Sequence, residues 1–272
     1  MFGLTFLSAT SKTTTHRVVP FRMGKLSSGV AGYVAGGIDS GGNISGIDKV
    51  AFPADTKTTL SATLTTARRF LAGFANSGTA GYAAGGDDGG FISGIDKIAF
   101  SADTKTTLSA TLTTARAYVA GFANSGTAGY VAGGYDSGNI SGIDKVSFAG
   151  DSKTTLSATL STARNSTASF ANSGVAGYVA GGYDGANVSG IDKIAFSADT
   201  KTTLSATLTT ARESPAGFAN SGVAGYAAGG SGGGYISGID KIAFSADTKT
   251  TLSATLTTGR STAAGFADSG TL

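Results

Sequence analysis

An all-β propeller is the fold that the sequence predicts, and three observations predict it. The phrase Gly177-Tyr178-Val179-Ala180-Gly181-Gly182 is written five times with small changes. Its opening glycine falls at Gly32, Gly81, Gly129, Gly177 and Gly225, so successive copies lie 49, 48, 48 and 48 residues apart. A period of that size, with several short apolar runs in each unit, marks a propeller or another closed repeat array. The runs are rich in Thr, Val, Ile and aromatic residues, and none keeps a helical apolar period free of glycine, so helix is disfavoured throughout.

Each unit holds four strand-like runs, and the second unit shows them clearly. Residues 72–77 form the first run, 80–85 the second, 92–100 the third and 105–112 the fourth. The fourth alternates cleanly: Thr106, Leu108, Ala110 and Leu112 share one face, Thr107, Ser109 and Thr111 the other. The third carries aliphatic side chains on both faces, as expected of a sheet sandwiched between neighbouring sheets. The first two are poor in bulk, which lets strands approach closely near a crowded axis. Asn76-Ser77-Gly78 and Ser101-Ala102-Asp103-Thr104 have turn chemistry, and Gly85-Gly86 leads the second run into a glycine-rich loop.

Composition narrows the function classes. The formal charge is only +3 and the 20 basic residues recur at fixed repeat positions, which argues against a nucleic-acid groove with its basic stripe. Cysteine is absent, so thiol chemistry and disulfides are excluded, and the single histidine, His16, lies outside the repeats. A catalytic or metal set built on histidine is therefore impossible within them. Glycine supplies 43 of 272 residues without a collagen period, and it sits among Tyr, Val, Ile and Phe, so a disordered linker is not the reading. No run is long and apolar enough to suggest membrane insertion. Residues 1–9 lack the basic start of an export signal.

The order Arg116, a small-residue run, Gly129-Tyr130-Val131-Ala132-Gly133-Gly134, Ile143-Asp144-Lys145-Val146-Ser147-Phe148 and Leu160-Ser161-Thr162-Ala163-Arg164 resembles the kelch repeat. The likeness covers roughly residues 28–268 and implies four-stranded blades with a double glycine after the second strand. The tryptophan usual in kelch blades is missing, and Leu60, Leu108, Leu156, Leu204 and Leu252 are its nearest counterparts. Glycine-rich, near-identical copies are also similar to kelch-like proteins of tailed bacteriophages, often encoded among tail or fibre genes. That resemblance implies a virion location, with other virion proteins or a second copy as partners.

Residues 1–27 depart from the repeat and are expected to form an attachment arm; residues 28–272 form the propeller. Five copies of runs two to four give five blades. The last copy of the first run, residues 264–269, has no second run after it, so it is expected to complete the first blade and close the ring. A sixth blade made from residues 1–26 with the C-terminus is the alternative.

Structural roles are expected for the double glycines Gly36, Gly37, Gly85, Gly86, Gly133, Gly134, Gly181, Gly182, Gly229 and Gly230, several of which are free to take positive φ. The ring of Asp48, Asp96, Asp144, Asp192 and Asp240 could hold a cation. Buried charge needs a partner, however, and Arg68, Arg116, Arg164, Arg212 and Arg260 or backbone amides are the expected ones. Asp88, Asp136 and Asp184 sit in glycine-rich loops but lack calcium-loop spacing, so no metal and no cofactor is expected. The repeat-breaking Glu213 is the one odd acid, and a paired-carboxylate glycosidase is the only enzymatic alternative. A non-enzymatic protein is expected.

In a four-stranded blade the loops between runs two and three, and the entries from run four into the next unit, open on one side of the ring. That side varies between copies while the other barely changes. Phe70, Phe91, Tyr118, Tyr135, Tyr183 and Tyr235, with Asp88, Asp136 and Asp184, are the expected contact set for a host-surface glycan or protein. The alternative is a structural or decoration subunit making only protein–protein contacts.

Overall fold

The computed structural model describes residues 31–52 and 54–265. They form an all-β, five-bladed β-propeller of antiparallel sheets. Four blades carry four strands in simple sequence order; the second consists of Ala72–Asn76, Ala80–Ala84, Ile95–Ala99 and Thr104–Thr107. The first blade has three among the described residues, Ala31–Ala35, Ile47–Ala51 and Thr56–Thr59. The expected attachment arm, the six-bladed alternative built on residues 1–26 and ring closure by residues 264–269 involve residues outside those described.

The third and fourth strands are shorter than the alternation predicts. Residues 92–94 lie outside the third strand, and the fourth ends at Thr107, not residue 112. The reason lies in the backbone accounting. Leu108, Leu112 and Arg116 donate their amides to the carbonyls of Ile95, Ser93 and Ile92, so the chain turns back beneath its own blade and leaves the sheet edge. Leu108 and Leu112 are still buried, which is why their alternation imitates a strand.

The first strands of neighbouring blades touch, which places them innermost. Small residues permit this: a Cβ on Gly121 would lie 2.6 Å from the Gly73 carbonyl oxygen. A Cβ on Gly129, Gly177 or Gly225 would overlap the ring of Phe74, Phe122 or Phe170 of the preceding blade. The glycine that opens the repeated phrase is therefore a packing requirement between blades.

The core lies between blades. Register places Phe74 opposite Tyr82 and Tyr82 opposite Lys97, and the two rings stack at 5.2 Å with the Lys97 ammonium 5.6 Å from the tyrosine centroid. Phe148 of the next blade stacks on Tyr82 at 5.2 Å, and Asp151 accepts from the Tyr82 hydroxyl at 3.0 Å and from Lys97 Nζ at 2.7 Å. Val131 and Val146 complete the cluster. Equivalent sets recur at the two following junctions, with Val179 and Ile194, then Ala227 and Ile242, in the places of Val131 and Val146.

Candidate functional site

The aspartate ring is built into the junctions. Asp96 is fully buried and accepts from the Thr65 amide at 2.9 Å, the Thr65 hydroxyl at 2.6 Å, the Thr107 hydroxyl at 2.9 Å and Arg68 Nη2 at 3.1 Å. Burial alone would raise its pKa, but these donors and the Arg68 charge hold it below the ordinary carboxylate range. Arg68 also donates to the Ala83 carbonyl at 3.0 Å. Arg116–Asp144, Arg164–Asp192 and Arg212–Asp240 repeat the arrangement at 3.1, 3.0 and 3.1 Å. Adjacent lysines point the other way and pair with the next blade, as Lys97 does with Asp151.

The fifth pair of that set, Arg260 with Asp48, is not made. Asp48 accepts instead from Thr59 at 2.6 Å and lies 3.2 Å from Lys57, while Arg260 is exposed and donates to the Thr258 carbonyl at 3.1 Å. The physical reason is that blades 5 and 1 do not meet among the described residues, so neither charge has its usual neighbour.

The double glycines take φ near +65° and then +110°, as at Gly133 (63°) and Gly134 (110°). At the first, a Cβ would also crowd the Arg carbonyl that follows the blade, 2.7 Å away for Gly85 and Arg116; the second donates its amide to that same carbonyl at 2.9 Å. The phrase thus ties the end of each blade to its middle.

The variable face is assembled as the topology requires. Backbone bridges join each entry to the neighbouring loop: Arg69 with Asp87, Ala117 with Tyr135, Asn165 with Tyr183 and Glu213 with Ser231. Phe70 and Tyr118 stack at 4.1 Å, with the Arg69 guanidinium 5.0 Å from the Phe70 centroid, and Phe91 meets Tyr135 edge-on at 5.8 Å. Four of the six expected aromatic residues therefore stand as two pairs over neighbouring blades. Tyr183 and Tyr235 are exposed, and no ring pairs with either among the described residues. Asp88, Asp136 and Asp184 each accept the amide two residues on, at 3.2 Å in every case, which is turn chemistry. The amide of Ser137 is the main cause holding the Asp136 carboxyl below the usual range. Glu213 stands beside Ser231 through its backbone. Among the described residues no group of three or more His, Asp or Glu side chains could hold a metal. The shallow grooves beside Leu60–Thr65 and Ser205–Thr209 occupy equivalent repeat positions, so they follow from the repetition. No protein-family model and no curated protein matches the chain.

One feature escaped the sequence. Phe70, Tyr118, Ser166, Ser214 and Thr262 all have left-handed φ, between 51° and 57°. The last four each donate their amide to the carbonyl of the counterpart one blade back: Tyr118 to Phe70 at 2.9 Å, Ser166 to Tyr118 at 3.1 Å, Ser214 to Ser166 at 2.7 Å and Thr262 to Ser214 at 3.0 Å. These residues lie just before the innermost strands and link the blades around the axial mouth. Glycine, asparagine and aspartate mark left-handed positions in a sequence, and Phe, Tyr, Ser and Thr do not.

Proposed function

We propose that this protein is a non-enzymatic recognition module whose variable face, centred on Phe70, Tyr118, Phe91 and Tyr135, binds a host-surface glycan or protein from the outside of a virus particle. The observation that carries the reading is the choice of residue at the left-handed positions. Glycine would relieve strain of about 1–3 kcal/mol at each, and this chain uses 43 glycines elsewhere. Five further left-handed residues, Asp55, Asp103, Asp151, Asp199 and Asp247, show what retaining a side chain can accomplish: the last four accept from Tyr and Lys of the preceding blade. Phe70 and Tyr118 hold no such structural partner and remain more than a third exposed. Stacked rings fixed on a hydrogen-bonded frame offer a flat apolar face beside turn carboxylates and amides, the chemistry that suits a sugar ring or a protein surface. Virion location and kelch kinship rest on the repeat's resemblance to phage kelch-like proteins.

Glycan-array and host-cell binding of the full chain, repeated with Tyr118→Ala and Tyr135→Ala, tests the reading. Binding that falls at least tenfold in either variant, with the circular dichroism spectrum intact, supports it. Undiminished binding in both, or none by the parent chain, leaves a structural subunit as the better account.

A further inference from the structure

The two ends of the blade series carry complementary sets of side chains. At each formed junction the trailing face offers a Tyr–Lys pair, flanked by a Phe at the second to fourth junctions, and an arginine; the leading face offers a small apolar residue (Val131 and Val179, or Ala83 and Ala227), a phenylalanine and two aspartates. Blade 5 presents the first set without partners from another blade among the described residues: Phe218 and Tyr226 stack at 5.1 Å, Lys241 lies opposite Tyr226, and Arg260 is exposed. Blade 1 presents the second. Val34 is 67% exposed where Val131 is 0%, and Phe52 is 49% exposed where Phe148 is 8%. The Asp48 side chain is 44% exposed where that of Asp144 is fully buried. Asp55 already adopts the left-handed turn (φ 50°) of the four aspartates that accept from Tyr and Lys, yet it is exposed.

We infer that blade 1 of a second copy of this chain docks on blade 5, joining the chains head to tail. The junction would pair Arg260 with Asp48, bring Tyr226 and Lys241 to Asp55, and lay Phe52 over the Phe218–Tyr226 stack, repeating the four junctions already formed. Charge complementarity selects this occupant over the chain's own termini. The trailing face calls for two carboxylates; residues 1–30 contain no Asp or Glu, and residues 266–272 contain one, Asp268. The same molecule's blade 1 is disfavoured because both faces are described and do not meet. Such a heterologous contact builds a ring or a helical array of copies, according to whether the rotation closes.

Light scattering and sedimentation of the full chain test the inference with two variants on residues that are exposed or half-buried. The trailing-face variant carries Lys241→Ala and Arg260→Ala; the leading-face variant carries Asp48→Ala and Asp55→Ala. The parent chain is expected to exceed the mass of one chain and to grow with concentration. Each variant alone is expected to lose at least tenfold in association while keeping its circular dichroism spectrum. An equimolar mixture should regain association through the one intact junction and stop at two chains. A parent chain that stays at the mass of one chain overturns the inference. If the variants of that single chain also melt earlier, the two faces close within one molecule instead. Assembly unchanged in both variants overturns it as well. Glycan or cell binding is read separately, so failure here leaves the recognition reading standing, and the reverse.

Discussion

Removing the Asp96 charge should cost more than removing its arginine partner, and the structure sets the order. Asp96→Asn leaves Arg68 buried beside a neutral group. It also replaces an acceptor-only carboxylate, served by four donors, with an amide whose NH2 faces donors. Breaking a buried pair from one side costs about 3–5 kcal/mol. Arg68→Met leaves Asp96 with both Thr65 donors, the Thr107 hydroxyl and Lys105 at 3.7 Å. It also removes a guanidinium that is incompletely repaid: Arg68 Nε is buried with no hydrogen-bond partner among the described residues, and burial draws the group's pKa below its ordinary value against the pull of Asp96. The loss is then about 1–2 kcal/mol, the scale of one or two hydrogen bonds. For a chain of this length each kcal/mol moves Tm by about 2–4 °C, so Asp96→Asn should lower it by roughly 6–20 °C and Arg68→Met by roughly 2–8 °C. Thermal melts followed by circular dichroism and by tyrosine fluorescence read both variants, and coincidence of the two probes tests whether the blades unfold together. An Arg68→Met variant as damaged as Asp96→Asn would refute the argument that the hydroxyl and amide donors, more than the arginine, sustain the buried carboxylate.

The depressed pKa values of Asp96 and Asp240 give a pH dependence of definite sign. Their contribution is fully present above the unfolded-chain value of about 3.9 and is lost as pH falls below it through the folded values. Urea denaturation should therefore show the gap between the parent chain and Asp96→Asn shrinking below about pH 4; a constant gap down to the acid limit would contradict the sign. Among glycines, Gly177→Ala drives a Cβ into Phe122 and should cost about 1–3 kcal/mol. Gly150→Ala meets nothing within 4 Å and matches Ala102, Ala198 and Ala246 of the other copies, so it should stabilise by about 0.4–1 kcal/mol. Equal effects in denaturant midpoints would show that the junction glycines are not packing positions.

Blade number, strand order and the orientation of the loops were legible in the sequence because each depends on a pattern repeated five times. The buried arginine–aspartate pairs were foreseeable too, since a charge recurring in a two-faced apolar strand requires a recurring counter-charge. The ends of the third and fourth strands were not. Leu108 and Leu112 alternate because both enter the junction core, and alternation records burial without recording which backbone partner an amide finds. The missing Arg260–Asp48 pair was equally hidden, for a repeat read along the chain treats every junction alike, including one whose two halves lie at opposite ends of it. The stacked Phe70–Tyr118 pair is a third case. Both residues were expected on the variable face, but their contact depends on a left-handed backbone joined from blade to blade.

The pattern of drift among the copies follows from the same junctions. Tyr82 meets Phe148, Phe122 fills the space over Gly177, and Asp151 serves both Tyr82 and Lys97. Every such position is fitted to a different position of the next unit, so a change in one copy misfits a neighbour that has not changed. Residues in the second-to-third-strand loops face few such partners and are free to differ, as Asp87-Asp88-Gly89-Gly90-Phe91 and Ser231-Gly232-Gly233-Gly234-Tyr235 do. Variation there is consequently weak evidence of function by itself. The entry positions are different, because a side chain on a left-handed backbone carries a conformational cost in every copy that keeps one. Phe70 and Tyr118 bear that cost with their rings exposed and stacked on each other. A binding role for the face therefore rests on these two residues more firmly than on the loops around them.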